Sequence, residues 1–137
     1  MRVRFRKIDP EATPPTRKHP TDGGWDLYLL RDTVVMPGTP TKARTGLAVA
    51  IPPGYVGLIL ERSGLATRGV HVGGGVIDSG YTGEVCIILE SSGLVGFVAG
   101  SRVAQLVILP VSEVEWLEVE HLEETPRGEG GFGSTGE

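Results

Sequence analysis

Apolar and polar positions alternate in short bursts along this chain, and no stretch keeps a helical period. Residues 1–7 alternate basic with apolar side chains and read as a strand. In residues 24–30, Trp25, Leu27 and Leu29 fall on one face and Asp26 and Tyr28 on the other. Residues 34–36, 45–51 and 56–60 are β-type runs separated by Pro-Gly-Thr-Pro and Pro-Pro-Gly-Tyr, the turn spacing of sandwiches and barrels. Residues 70–77 and 84–89 predict two arms of a hairpin around Asp78, and residues 94–98 and 102–111 predict two more strands. In the last of these, Val103, Gln105, Val107 and Leu109 share one face, and Ala104, Leu106 and Ile108 the other. Both faces read as buried, which leaves Gln105 as a polar exception that needs a partner. Residues 113–124 carry six glutamates among Val114, Trp116, Leu117, Val119 and Leu122 and are read as a strand with a solvated acidic face.

Two stretches interrupt the pattern. Residues 9–22 hold Pro10, Pro14, Pro15 and Pro20, so they form a surface crossing rather than a central strand or helix. Residues 125–137 are glycine-rich and cannot build a core, which divides the chain into a β domain over 1–124 and a flexible C-terminal segment over 125–137. Gly128, Gly130 and Gly133 match G-x-G-x-x-G only in letters, because that fingerprint works between a strand and a helix. Arg127, Phe132, Ser134 and Thr135 are instead the parts of a lid: a guanidinium, a stacking ring and hydroxyls over a planar, phosphate-bearing ligand.

The residues around Asp78 carry the chemistry. Gly73 to Glu84 reads Gly-Gly-Gly-Val-Ile-Asp-Ser-Gly-Tyr-Thr-Gly-Glu, with five glycines in twelve positions. Glycine weakens a strand unless something needs the space, so this density points to close approach of a ligand to the backbone. Further back, Arg62, Ser63 and the Gly64 backbone have the makings of an anion site, a weak signal taken alone.

Composition narrows the classes. The 137-residue chain suits one domain, and its formal charge of −4, from 13 Lys+Arg against 17 Asp+Glu, argues against a nucleic-acid partner. No apolar run approaches membrane-span length, and the basic, alternating start is not the apolar core of a signal peptide. Cys86 is the single cysteine and sits in an apolar run; it reads as a buried thiol in a reducing, cytoplasmic setting.

Five separated segments, in order, resemble the motifs of the homotrimeric dUTP pyrophosphatase (dUTPase) family. They are Gly24-Trp-Asp-Leu27, Arg62-Ser-Gly-Leu65, Gly75-Val-Ile-Asp-Ser-Gly-Tyr-Thr-Gly83, Gly100-Ser-Arg-Val-Ala-Gln-Leu106 and Arg127-Gly-Glu-Gly-Gly-Phe-Gly-Ser-Thr-Gly136. The resemblance implies an all-β, distorted jelly-roll barrel or sandwich, a homotrimer with shared active sites, and Mg²⁺-dependent hydrolysis of dUTP to dUMP and pyrophosphate. It implies Asp78 as the base that deprotonates the attacking water, and Tyr81 under the deoxyribose. Gly73, Gly74, Gly75 and Val76 would read uracil through main-chain groups, since Val72 stands where many relatives have Asn. Arg62, Ser63, Gly64 and Gln105 would hold the phosphates, Asp26 would support the Mg²⁺ shell through water, and Arg127, Gly133, Ser134 and Thr135 would close on the γ-phosphate while Phe132 stacks on the base. Glu61 and Ser101 depart from the usual Pro and Asp of the pattern. The related dCTP deaminases use a Glu ten residues after the motif Asp, where this chain has Ile88. A non-catalytic nucleotide-binding regulator is the other alternative.

Overall fold

The computed structural model describes residues 1–131. Ten strands and one helical turn build two four-stranded antiparallel sheets and a two-stranded ribbon. The first sheet runs in the order β1 (Arg4–Lys7), β4 (Thr41–Ala50), β8 (Glu84–Ser91), β6 (Val70–Gly73). The second runs β2 (Trp25–Tyr28), β10 (Arg102–Pro110), β5 (Tyr55–Glu61), β7 (Val76–Ile77), and β3 (Thr33–Val35) pairs β9 (Val95–Phe97). The all-β expectation and its recurring short strands are borne out.

The core lies between the sheets and follows the two-residue period. On β8, Val85, Ile87 and Leu89 are fully buried, while Glu84, Cys86 and Ile88 on the other face are partly covered. Cys86 is therefore half-buried rather than sealed in the core. A bulge in β4 between Arg44 and Ala48 turns the strand and buries Thr45, whose hydroxyl donates to the Val85 carbonyl at 2.6 Å. Glu84 closes the same corner, accepting from Arg44 Nε at 3.0 Å and from the Gly46 N–H at 2.8 Å.

Four expectations change. Residues 70–77 do not form one arm: β6 pairs β8, but β7 pairs β5 in the other sheet, so the chain changes sheets at Gly74-Gly75. Gly74 turns there with φ +60°, and a Cβ on Gly75 would run into the Ile59 carbonyl. The Ile59 N–H donates to the Gly75 carbonyl at 2.7 Å, so Gly75 serves backbone contact between strands. Alternation alone could not show this, because both pieces keep a β pattern. Residues 63–66, expected without helix, form the single turn α1 (Ser63–Ala66), too short to display a 3.6-residue period.

Residues 113–124 form no strand; they run exposed, with Trp116, Leu117 and Leu122 more than four-fifths accessible. The outward face of the second sheet is only half-covered: Leu109 of β10 is 43% exposed, Leu60 of β5 41% and Val76 of β7 60%. Across β10, β5 and β7, Val107, Leu58 and Val76 stand in register, which makes an apolar stripe on the outside of the second sheet. On β2, Trp25 shares a face with Leu27 as the alternation gives, but it is 39% exposed while Leu27 and Leu29 are buried.

Candidate active site

One cleft of about 600 Å³ gathers residues from three separated motifs. Asp26 comes from β2 and Gly24 immediately precedes that strand, Arg62, Ser63 and Gly64 come from the β5–α1 junction, and Gln105 from β10. The sheet order explains the gathering, because β10 lies between β2 and β5. Gln105 pairs with Asp26 on one side and Leu60 on the other, and its Nε2 donates to the Glu61 carbonyl at 3.0 Å. Gly24 carries no side chain where the Gln105 amide packs.

Asp26 is the electrostatic centre of the cleft. Its Oδ1 is ion-paired with Arg62 Nε and its Oδ2 accepts from Arg102 Nη1, each at 3.0 Å, while the carboxylate is 16% exposed. Arg62 Nη1 also donates to the Arg102 carbonyl at 3.1 Å. Two guanidiniums are thus locked by one carboxylate, with their remaining N–H groups available to an anion. Arg102 was not singled out from sequence, although it lies inside the fourth motif, three residues before Gln105. Arg17, Lys18 and Arg68, which line the cleft as well, were also missed. The basic run Arg17-Lys18 just ahead of the first motif was the signal for the first two, and Arg68 stands three residues past the second motif.

Asp78 and Tyr81 lie elsewhere, and neither lines this cleft. Asp78 follows β7 and is exposed. Its carbonyl accepts from the Tyr81 N–H at 3.2 Å, and the adjacent Ser79 hydroxyl donates to the Ile51 carbonyl at 3.3 Å. Tyr81 donates its hydroxyl to the Glu84 carbonyl at 2.9 Å, and its ring lies where a Cβ on Gly83 would stand. Gly73 ends β6, and Val76 stands exposed on β7. The chain therefore carries two half-sites: a cationic cleft, and an Asp78–Tyr81 turn at the edge of the second sheet.

Arg127 lies in an exposed turn of the tail, with Nε donating to the Gly130 carbonyl at 3.0 Å. Phe132, Gly133, Ser134 and Thr135 lie outside the described residues. Among the described residues, no three His, Cys, Asp or Glu side chains cluster as a metal cage. Asp26 lines the cleft with two of its roughly four lone-pair positions used, so it fits as an acceptor for a metal-bound water and not as a direct ligand of a resident ion.

An antiparallel β-sandwich with a guanidinium-lined cleft and a separate exposed carboxylate on a glycine turn defines a phosphate-handling enzyme of the jelly-roll class. The chain belongs to the dUTPase family, whose model matches residues 10–136. It is 43% identical over 142 residues to the deoxyuridine 5'-triphosphate nucleotidohydrolase of Thermobifida fusca (strain YX), covering 99% of this chain and 79% of that protein. Identity to the corresponding protein of Nocardia farcinica is 45% over 140 residues, covering 98% and 85%. Among solved structures it matches the Staphylococcus bacteriophage 80alpha dUTPase with dUpNHpp at a TM-score of 0.89, with 31% identity and 98% of both chains covered. A mutant dUTPase of phage phi11 of S. aureus, described with a structural Mg(II) ion, matches at 0.83, with 28% identity, 90% of this chain and all of that one.

Proposed function

We propose that this protein is a dUTP diphosphatase that hydrolyses dUTP to dUMP and pyrophosphate, at sites shared between copies of the chain in a homotrimer. The reaction limits uracil entry into DNA and supplies dUMP for thymidylate synthesis. The observation that carries the reading is the cleft in which Asp26 locks Arg62 and Arg102 beside Ser63, Gly64 and Gln105. Such a cleft holds a phosphate chain by charge-assisted hydrogen bonds.

The half-sites support the trimer. The Asp78 turn lies outside its own chain's cleft, at the end of β7, whose Val76 belongs to the apolar outer stripe with Leu58 and Val107. A second copy against that stripe removes the exposed apolar surface and offers its cleft to Asp78. The tail over residues 111–131, with Trp116 and Leu117 bare, supports contact with neighbouring copies as well.

In the reaction, the Asp78 carboxylate accepts a proton from water as that oxygen forms a bond to the α-phosphorus. The bond from the α-phosphorus to the bridging oxygen of the β-phosphate breaks, and its electron pair leaves on pyrophosphate. Arg62, Ser63, Gly64 and Gln105 hold the departing phosphates. Tyr81, fixed by its bond to Glu84, stands under the sugar and excludes a 2′-hydroxyl. Main-chain groups of Gly73, Gly74, Gly75 and Val76 read the uracil edge. Arg127, Phe132, Gly133, Ser134 and Thr135 close over the bound nucleotide. Asp26 would hold Mg²⁺ through water, and that ion would supply charge neutralisation of the triphosphate. Among the described residues no helix is long and apolar enough to cross a membrane. The lone Cys86 supports a reducing, cytoplasmic setting.

The test is pyrophosphate release from dUTP, dCTP, dTTP and UTP side by side, with Mg²⁺ and with chelator. Release from dUTP alone, lost with chelator, is expected. Ammonia from dCTP, or silence on all four, overturns the reading.

A further inference from the structure

The cleft has a wall that no motif accounts for. A bridge between Thr16 and Asp26, with the Asp26 N–H donating to the Thr16 carbonyl at 2.6 Å, ties the proline-rich crossing to the outer edge of β2. In that antiparallel register Arg17 faces Trp25, and its guanidinium lies 4.8 Å from the Trp25 ring centroid. Arg17 Nη1 also donates to the Asp22 carbonyl at 3.3 Å. Asp22 closes the loop, accepting from the His19 N–H at 2.8 Å; this bond holds its carboxyl below the usual value. The half-exposed Trp25 thus serves as a platform for a cation rather than as core.

The charges say what this wall is for. Arg62 and Arg102 share Asp26, so that triad carries only one net positive charge, against about four negative charges on a nucleoside triphosphate. Arg17, Lys18 and Arg68 are the other cationic lysine and arginine side chains on the cleft. Arg17 is held by a carbonyl and a ring face, and among the described residues it has no ion pair, so most of its N–H groups remain open. Among the described residues neither Lys18 nor Arg68 is ion-paired. On a chain of formal charge −4 this concentrates positive charge in one concave place, the arrangement that draws in a polyanion.

We infer that Arg17, on its Trp25 platform, and Lys18 bind the β- and γ-phosphates and set the enzyme's preference for a triphosphate over a monophosphate. The inference rests on the proposed hydrolysis and extends it to residues outside the five motifs. Lys18→Ala and Arg17→Ala are each expected to raise KM for dUTP about tenfold, as loss of one charge-assisted contact does, with kcat within about twofold. Inhibition by inorganic pyrophosphate weakens by the same factor, inhibition by dUMP is unchanged, and Tm is unchanged. Trp25→Leu gives a smaller loss of the same kind. Unchanged KM and pyrophosphate inhibition in Lys18→Ala overturn the inference, and so does a parallel loss of dUMP binding, which marks structural damage. Pyrophosphate affinity by calorimetry, wild type against Lys18→Ala, decides the matter separately from turnover. If the wild type fails to hydrolyse dUTP the reaction itself is wrong; if it turns over and Lys18→Ala behaves identically, only this assignment falls.

Discussion

Asp26 and Asp78 are both carboxylates at the edge of the second sheet, yet they are held in opposite ways. Asp26 is largely buried, and each of its oxygens is taken by a guanidinium. Asp78 is exposed, and what fixes it is backbone: the Tyr81 N–H on its own carbonyl, Ser79 on the Ile51 carbonyl, and β7 pinned to β5. The contrast teaches a division of labour. Phosphate-holding groups gain from being preorganised within the chain, because ordering long arginines in advance lowers the entropy lost on binding. A general base needs a fixed position and a free carboxylate, and side-chain partners would compete for the proton it must take.

The largest effect expected from breaking this contrast is at Asp78. Asp78→Asn should lower kcat by roughly 10² to 10⁴-fold while KM for dUTP stays close to wild type, as steady-state kinetics will show. Retained turnover would mean that the water is activated elsewhere. The same variant sharpens the comparison when co-assembled with Arg62→Ala. Two inactive chains dissociated and reassembled in equal amounts should recover about a quarter of wild-type activity if the halves come from different copies. No recovery would place both halves in one chain.

A smaller effect is expected at Asp26. Asp26→Asn keeps the shape of the clamp but leaves two guanidiniums without their counter-charge, so kcat/KM should fall by about 10-fold or more, mostly through KM. A fall confined to kcat would tie Asp26 to the chemical step instead. The smallest effect belongs to Cys86, away from both halves. Burial, followed by the Glu84 charge, raises its thiol above the ordinary value of 9.0. A raised pKa favours the folded state fully below the unfolded value, and the gain is lost as pH rises above it through the folded value. Iodoacetamide should therefore modify Cys86 more slowly than a free cysteine at pH 8, without changing turnover. Rapid labelling that abolishes activity would connect this face of β8 to the site.

Most strands were legible because one buried face leaves a two-residue signature, seen cleanly in Val85, Ile87 and Leu89. The signature failed where the face turned out not to be core. Trp25 keeps the pattern but supports Arg17. Residues 113–124 have apolar side chains but pair with nothing in the described chain. Of the site, Arg62, Ser63, Gly64, Gln105 and Asp26 were named and lie together in one cleft. Arg102 was passed over, because its importance comes from the carboxylate it meets and not from its own neighbours in sequence.

The order of residues alone determined that this is a chain of short strands, which carboxylates stand on glycine turns, and which segments match the dUTPase motifs, since these depend on local spacing and side-chain type. Only the tertiary structure decided that β6 and β7 part at Gly74 into different sheets, that β10 runs between β2 and β5, and that Asp78 therefore stands outside the cleft that Asp26 organises. Strand partners are chosen by hydrogen bonding and packing between residues far apart in sequence, and a periodic pattern carries no record of which strand a given strand will meet.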